Sequence, residues 1–600
     1  MHTPNSSIST SKSESIGHLS VEPNITAEEA QAIASRVKSP TTLGIFPAPP
    51  SPLDHFEKWF PTSPGEAPEP LLIEKAQPRC DKSLPQPPYH VFDRWKKRQL
   101  VVLVSFAGIL SPLSTSIYFP TLTAISKDLN VSVSMVLLTI TVYMLVQAIA
   151  PFFWMPICST FGRRPTFIIT LLIFLGANIG LIFTKGFLAL TILRGVQSIG
   201  TAALTATCAA VIGDISTSTE RSQYIGLFGG ILMFTFISPM IGGVLTSYLG
   251  WRTIFWFLAG YGLAVLVLII LVLPETLRSI AGNGTIRLSC MQRPLIHMIR
   301  PSPDTTCEPD TRSKFKVPLT FLSARSFVEP LYCLGNRDIF LASLFGAIAF
   351  AICTTVIATT TTMFSDHFYH LSYMFLGLAF LPAGAGSVLS FFSIGYLMDY
   401  DFRVTQDHYR EMHRLEKDTI LDYKNLSDFP IERARLRNMW WITLIFVGTV
   451  GGYGFTFELS QSMIAVPLIL QFFIASSATA MLLMNGILIG DLYKGSISVT
   501  PAVNFLRFLA GAAAVGTIQL AIDGIGAGFA FLALGVVMLG ATPIMICQWF
   551  FGKPWTARRN STWPRQRLIR MPDFAASKEV LVESVKSIRV PSRVKSAFGG

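Results

Sequence analysis

The sequence predicts an all-α membrane protein whose twelve transmembrane helices form two six-helix halves. Of the 600 residues, 50% are hydrophobic and 14% are charged, whereas soluble proteins carry about 25% charged residues. The mean hydropathy is +0.49. Apolar segments of about 20 residues, the length that crosses a bilayer as a helix, recur from residue 99 onward. These observations exclude an ordinary soluble enzyme and a disordered scaffold.

Residues 1–95 are predicted to form a disordered cytoplasmic tail. They are rich in Ser, Pro, Thr and Glu and contain no long apolar stretch, a composition that cannot bury enough apolar surface to fold. They also lack the basic and apolar regions of a cleavable signal peptide.

The twelve apolar segments define the predicted domains. An N-terminal half over residues 96–273 holds segments at 100–122, 133–156, 165–184, 187–211, 222–248 and 252–273. A C-terminal half over residues 338–549 holds segments at 338–364, 372–397, 439–458, 463–490, 497–519 and 527–549. A basic central loop over residues 274–337 joins the halves, a second large loop covers 399–438, and a tail covers 550–600.

The distribution of positive charge predicts that both termini lie in the cytoplasm. On one set of alternate connections the only basic residues are Lys127, Lys185 and Arg252, and the other set carries most of the lysines and arginines. This asymmetry follows the positive-inside rule. The net charge of +12 is therefore interpreted as a topology signal, and no nucleic-acid partner is predicted. The basic 399–438 loop is interpreted as a solvated charged helix.

A weak internal repeat relates the two halves. Residues 211–215 read VIGDI and residues 488–492 read LIGDL, each at the end of the fourth segment of its half. Two repeated six-helix halves are typical of transporters that rock about a binding site near the bilayer midplane.

Polar residues inside the segments form the candidate site, because they are costly in lipid and usually functional. Arg194 and Arg507 are the only basic residues well inside the segments. Gln197 and Thr201 share a helix face with Arg194, and Asn504 shares one with Arg507. The remaining candidates are Tyr143, Gln147 and Gln471, the last at the repeat position of Arg194. The alternative is a packing face on which Arg194 satisfies backbone carbonyls.

The middle of every predicted segment lacks Asp, Glu and His. Antiport of a cation normally requires a buried carboxylate, so two arginines without one favour an anionic or acceptor-rich neutral substrate and leave the proton site unidentified. The eight cysteines show no metal-ligand spacing. No metal or other cofactor is predicted.

Small residues and a proline mark the fifth segment as a candidate hinge. Pro239 removes a backbone donor and bends the helix, and Gly242 and Gly243 allow close approach of another helix. Ordinary transmembrane packing is the alternative.

Two motifs resemble those of the major facilitator superfamily, and specifically its fungal twelve-helix drug:proton antiporters. Residues 193–200 (LRGVQSIG) resemble RxxQGxG, and residues 238–243 (SPMIGG) resemble GPxxGG. Further similar stretches are GWR at 250–252, LPETLR at 273–278 and FPIERARLR at 429–437. Within that branch the chain resembles citrate exporters and secondary-metabolite efflux pumps, through SPLSTSIYFP at 111–120, LTITVY at 138–143 and NFLR at 504–507.

One loop departs from the family pattern. The family reads GxLxDRxGRR after the second helix, whereas residues 155–164 read MPICSTFGRR, with Ser159 and Thr160 in place of Asp and Arg. In the family that Asp helps to lock the outward-facing state. The resemblance thus implies a conformational role for Gly162, Arg163 and Arg164, with Asp399 in the second half, and a weakened lock.

The resemblance implies the major facilitator fold and a secondary active transporter rather than an enzyme. The expected activity is export of a small organic molecule from a fungal cell by proton antiport, with the proton gradient as the energy source. The substrate is expected to be an acidic or oxygen-rich secondary metabolite, a toxin or a citrate-like organic acid, with Arg194 in substrate binding or proton coupling. Broad multidrug efflux and a non-transporting membrane sensor are the alternatives. We predict a monomer in the plasma membrane, or in a vacuolar or vesicle membrane.

Overall fold

The structure is a computed structural model that describes residues 92–217, 220–281, 292–295, 330–368, 371–415, 429–459, 463–493 and 499–570. The side chains of Ser279, Leu459 and residues 557–570 are not among those described. The predicted disordered tail up to residue 91, most of the central loop and the tail from residue 571 lie outside the described residues.

Twelve helices in the described chain are long and apolar enough to cross a membrane, as predicted. In the first half they are α1 (Arg94–Leu129), α2 (Val133–Phe161), α3 (Arg163–Ile182), α4 (Phe187–Ile215), α5 (Arg221–Leu249) and α6 (Thr253–Val272). In the second half they are α7 (Arg337–His367), α8 (Tyr373–Met412), α9 (Ile431–Glu458), α10 (Ala465–Leu492), α11 (Val499–Ile525) and α12 (Ala527–Thr556). Each begins and ends close to its predicted segment, except at the α8–α9 connection.

Two of the transmembrane helices are interrupted where the sequence weakens the helical backbone hydrogen bonds. In α1 a 3-10 turn at Phe119–Thr121 follows the helix Arg94–Ser116. In α5 a 3-10 turn at Phe234–Ile237 precedes Pro239, whose ring removes one backbone donor and bends the helix. Such breaks are tolerated in membrane helices where neighbouring helices satisfy the freed backbone groups.

The two halves have separate apolar cores. One core is built almost entirely from α1–α6, around Phe167, Phe174 and Phe255, and the other from α7–α12, around Phe364, Phe446 and Phe531. Large apolar side chains such as Phe153 and Leu444 remain exposed on the outside, which is the arrangement expected of helices that face lipid.

Short connections make consecutive helices antiparallel, so the helix ends fall into two groups. We call the side that carries the start of α1 the terminal side, and the opposite side the distal side. Thr361, near the end of α7, donates to the carbonyl of Phe119, near the end of α1, at 2.8 Å. The end of α7 therefore lies on the distal side, and its start on the terminal side.

The predicted 399–438 loop is partly helical and partly buried. Helix α8 continues to Met412 and α9 begins at Ile431, because Phe402 and Tyr409 extend its apolar face and pack on Phe429. Arg435 is 8% exposed and Glu432 is 3% exposed. The interpretation of this loop as a solvated charged helix is therefore wrong for its second part.

Candidate functional site

Arg194 of α4 is completely buried between two tyrosine rings. Its guanidinium carbon lies 4.1 Å from the ring centroid of Tyr118 in α1 and 4.4 Å from that of Tyr143 in α2. Desolvated cation–π contacts contribute about 2 kcal/mol each. Nη1 donates to Gln197 Oε1 at 2.6 Å and to the carbonyl of Ser114 at 3.3 Å. The two rings thus provide part of the stabilisation that a carboxylate would give.

Tyr143 connects Arg194 to the polar side chains of two helices. Its hydroxyl lies 2.8 Å from Ser114 Oγ in α1 and 2.9 Å from Thr201 Oγ1 in α4. The ring therefore holds one orientation under the guanidinium. The structure brings together Arg194, Gln197, Thr201 and Tyr143 as the sequence predicts.

Two glutamines extend this network. Gln197 Nε2 donates to Asn178 Oδ1 of α3 at 2.8 Å. Gln147 Nε2, one helical turn from Tyr143, donates to Ser111 Oγ of α1 at 2.8 Å. Side chains of α1, α2, α3 and α4 thus form one buried polar network around the guanidinium.

Several polar atoms of this network have no hydrogen-bond partner among the residues that the structure describes. They are Arg194 Nε, Arg194 Nη2 and Gln147 Oε1. A buried polar group without a partner costs about 1–3 kcal/mol and indicates a water or ligand that completes it. Guanidinium N–H groups match the geometry of carboxylate oxygens. The network can therefore accept an acidic group, provided that the surrounding helices open.

Gln471 of α10 occupies the corresponding place in the second half. It lies 20 residues before Asp491, as Arg194 lies 20 residues before Asp214. Gln471 is fully buried and its Nε2 donates to Thr360 Oγ1 of α7 at 2.9 Å, while its Oε1 lacks a partner in the described chain. At these two corresponding positions the first half carries the charged donor Arg194, and the second half carries the neutral amide of Gln471.

Arg507 and Asn504 of α11 lie at another level of the bundle. Arg507 is eight residues from the terminal-side end of α11 at Val499, which is about 12 Å along the helix. Arg194 is 21 residues from the terminal-side end of α4 at Ile215, which is about 32 Å. Arg507 Nη2 donates to the carbonyl of Leu482 at 3.4 Å. The structure therefore does not bring these two residues together with Arg194.

The turn between α2 and α3 is held by a buried carboxylate. Glu275, after α6, accepts from the backbone N–H groups of Arg163 at 2.8 Å and Arg164 at 3.1 Å. Gly162 has a φ of +111°, and a Cβ there would collide with the Glu275 carboxylate. Since an anion is favoured at a helix N-terminus, Glu275 fastens the start of α3 to the segment that follows α6.

The side chains of the two arginines have partners of their own. Arg163 Nε donates to Asp214 Oδ2 at the end of α4, at 2.9 Å. Arg164 donates to the carbonyl of Ile270 at 2.8 Å and to that of Arg293. Ser159, at the position of the family's Asp, is exposed and bonds back to its own helix at 2.9 Å.

An equivalent ion pair lies in the second half. Arg435 Nε, near the start of α9, donates to Asp491 Oδ2 at the end of α10, at 2.9 Å. The short repeat around Asp214 and Asp491 thus corresponds to two ion pairs of the same geometry.

Asp399, predicted as a conformational residue, is exposed and forms no ion pair with any described residue. The buried carboxylate at this level of α8 is Asp401, which is 5% exposed, accepts from Asn438 and lies 3.7 Å from Arg437. The conformational role of Asp399 stays a prediction.

We expect Asp214→Asn to destabilise the protein by about 3 kcal/mol, because breaking a buried ion pair leaves the other charge unpaired. The side chains of Arg163 and Asp214 are only 7% and 14% exposed. Thermal unfolding in detergent measures the change. Asp407→Asn is the matched control, since Asp407 pairs with Arg410 but is 67% exposed. Equal midpoints for the two variants would contradict the prediction.

The distal half of α5 joins helices in both halves of the molecule. A Cβ on Gly242 would collide with the carbonyl oxygen of Ile117 in α1. A Cβ on Gly243 would lie 2.5 Å from the carbonyl oxygen of Tyr373 and 2.9 Å from Gly377 Cα, both in α8. Gly242 therefore allows packing within the first half, and Gly243 allows packing between the halves.

The two halves are closed against each other on the distal side. Besides the α5–α8 contact at Gly243 and the Thr361 hydrogen bond, Phe119 and Phe380 stack with ring centroids 6.2 Å apart. We call these contacts of α1, α5, α7 and α8 the distal seam.

Comparison with known proteins identifies the family. Residues 104–406 match the sequence model of the family described as Major Facilitator Superfamily. The chain belongs to the Major Facilitator Superfamily. It is therefore a multi-pass membrane transporter and not an enzyme.

Individual members of the superfamily resemble the chain over most of its length. It is 41% identical to citrate exporter 1 of Aspergillus niger, over 82% of this chain and 92% of that protein. It is 32% identical to the MFS-type transporter phiD of a fungal species (strain ATCC 74256), over 83% of this chain and 74% of that protein.

A solved structure supports the fold. The partially occluded inward-open conformation of the Escherichia coli xylose transporter XylE superposes with a TM-score of 0.52 and 13% identity, over 76% of this chain and 98% of that one. At this identity the similarity concerns the superfamily fold.

Sequence reasoning missed three residues of the site of this superfamily member. Tyr118 and Glu275 lie inside motifs that carry the family resemblance, but neither residue was singled out. Gly377 pairs with Gly243 across the distal seam. Their partners lie on other helices, so helical periodicity along one segment gives no signal for them.

Proposed function

We propose that this superfamily member exports a small organic molecule rich in carboxylate or other acceptor oxygens. Such a molecule is an acidic or oxygen-rich secondary metabolite, a toxin or a citrate-like organic acid. The observation that carries the proposal is the fully buried Arg194, with two N–H donors unpartnered in the described chain. A substrate carboxylate is the group that satisfies both charge and geometry. The similarity to a citrate exporter supports the same class.

The surrounding side chains have distinct roles in this proposal. Gln197 orients the guanidinium, and Tyr143 and Thr201 fix one wall of the site. Gln147 and Gln471 each have an amide oxygen that lacks a partner among the described residues. These oxygens accept hydrogen bonds from hydroxyl groups of the substrate. Because Arg194 is 0% exposed, binding requires the two halves to rock and the α1 and α2 rings to part.

Proton antiport is the proposed coupling, with both termini in the cytoplasm and the protein in the plasma membrane as a monomer. In the described spans the carboxylates lie toward the helix ends, on the terminal side for Asp214 and Asp491 and on the distal side for Asp366 and Asp523. A proton that exchanges with the substrate therefore has its binding group near a helix end rather than beside Arg194.

Vesicle transport tests the proposed function. Purified protein in liposomes with an imposed pH gradient is expected to move radiolabelled citrate, used as the acidic probe, and not the cationic dye ethidium. Ethidium flux without citrate flux would favour broad multidrug efflux. Absence of flux for citrate and for a panel of other carboxylic acids would favour a sensor. Citrate flux that ignores the pH gradient would contradict proton antiport alone.

A further inference from the structure

We infer that Arg507 forms a second carboxylate-binding site, on the terminal side, which a substrate occupies before it reaches Arg194. The inference rests on the proposed export of acidic molecules and adds a second binding site along the route of the substrate. Arg507 and Asn504 are its residues.

Backbone contacts confirm that the two arginines lie at different depths. Arg194 bonds to the carbonyl of Ser114, which is 20 residues from the start of α1 at Arg94, or about 30 Å. Arg507 bonds to the carbonyl of Leu482, which is 10 residues from the end of α10 at Leu492, or about 15 Å. Both helix ends lie on the terminal side. One small molecule cannot contact both guanidinium groups at once.

A polar stripe leads from the terminal side to Arg507. Thr500, Asn504 and Arg507 follow at steps of four and three residues, so they share one face of α11. Thr500 is exposed, whereas Asn504 and Arg507 are half-buried and the neighbouring Ala502 is fully buried. The stripe therefore forms a graded polar path on the otherwise apolar first part of α11, from Val499 to Arg507.

The path ends at a buried donor without a partner. Arg507 Nε has no hydrogen-bond partner in the described chain, and Asn504 lies one helical turn before it on the same face. Gly486 of α10 is exposed, and a Cβ there would be in van der Waals contact with Arg507 Nη2, at 4.0 Å. A glycine at this position therefore leaves the room of one methyl group beside the guanidinium.

Charge defines the class of ligand. No carboxylate of the described residues forms an ion pair with Arg507, and the residues on either side of it in α11, Leu506 and Phe508, are apolar. An uncompensated guanidinium in such surroundings is stabilised by an anion that brings its own charge. Carboxylate is the group that both arginines share.

The conformation of the protein indicates the order in which a substrate binds at the two sites. The distal seam closes the opposite side, and Arg194 is fully buried, whereas Arg507 is half-buried beside exposed Gly486. An acid that arrives from the terminal side meets Arg507 first. It reaches Arg194 only after the helices around the tyrosine rings have moved.

Sided transport kinetics test the inference. In vesicles of defined orientation, Arg507→Gln is expected to raise the half-saturating citrate concentration at the terminal side about 10- to 100-fold, the effect of losing a charged hydrogen bond. The half-saturating citrate concentration at the distal side and the maximal transport rate are expected to change little. Asn504→Asp, which places a negative charge on the path, is expected to act in the same direction and serves where Arg507→Gln fails to fold.

The controls separate this inference from the proposed function. Arg403→Gln removes an exposed positive charge of α8 on the terminal side and is expected to change nothing. Equal effects of Arg507→Gln on both sides, or no effect on either while wild-type protein moves citrate, would overturn the second site and leave the proposed function standing. Lack of citrate movement by the wild-type protein would instead overturn the proposed function. If Arg507→Gln lowers the unfolding midpoint but leaves the half-saturating citrate concentrations at the two sides in the wild-type ratio, Arg507 has a structural role instead.

Discussion

Arg194→Gln is expected to abolish export while the protein still folds and reaches the membrane. Glutamine keeps a hydrogen-bond donor near Gln197 and Ser114 but removes the charge that, in the proposed function, binds the substrate carboxylate. Arg194→Lys restores the charge without the planar group that stacks between Tyr118 and Tyr143. Loss of one desolvated cation–π contact, about 2 kcal/mol, corresponds to a transport rate roughly 30-fold lower. Initial rates of citrate efflux measure both effects.

Tyr143→Phe is the matched control for Arg194. It keeps the ring at 4.4 Å from the guanidinium carbon but removes the hydroxyl that contacts Ser114 and Thr201. A mild reduction in rate is expected. Wild-type efflux by Arg194→Gln at equal membrane abundance would end the proposal that this residue binds substrate.

Gly243→Ala is expected to open the distal seam and to lower export at least tenfold. The added Cβ would meet backbone atoms of Tyr373 and Gly377, which cannot move aside as a flexible side chain can, so α5 and α8 must separate. Gly242→Ala displaces α5 from α1 within one half, and we expect it to lower the thermal unfolding midpoint instead. Adjacent glycines thus separate a conformational effect from a folding effect.

Cysteine labelling detects the opening. Thr361→Cys, at a fully buried position of the seam, is introduced after replacement of the eight native cysteines. A membrane-impermeant maleimide applied to the distal side should react faster when Gly243→Ala is present. Gly260→Ala on α6, where a Cβ meets nothing within 4 Å, should leave labelling and export unchanged. Identical labelling of Gly243→Ala and the parent would refute the conformational role.

Hydropathy predicts the helices of this protein well because lipid acts on each segment separately. The bounds of α2, α6 and α10 fall within five residues of their predicted segments. The polar face of α4 also follows from periodicity, since Arg194, Gln197 and Thr201 share one helix. These features depend only on residues close in sequence.

Contacts between helices were not predictable in the same way. The sequence gives no measure of depth between α4 and α11, so Arg507 was grouped with Arg194 although the two lie about 15–20 Å apart along the bundle. The burial of Asp401 beside the exposed Asp399 was not predictable for a related reason, because its partner Asn438 lies beyond the loop. Each case requires the relative placement of two distant segments.

The separation of the two arginines has an electrical consequence. A distance of about 15–20 Å is roughly half to two-thirds of a hydrocarbon core of about 30 Å. In the proposed export, with the terminal side in the cytoplasm, an anion that moves from Arg507 to Arg194 would cross that share of the transmembrane voltage. At 100 mV this step would be worth roughly 1.2–1.5 kcal/mol for each negative charge, and an inside-negative potential would drive it outward. The resting voltage of the cell would then supply part of the work of export, and a multiply charged acid would gain most.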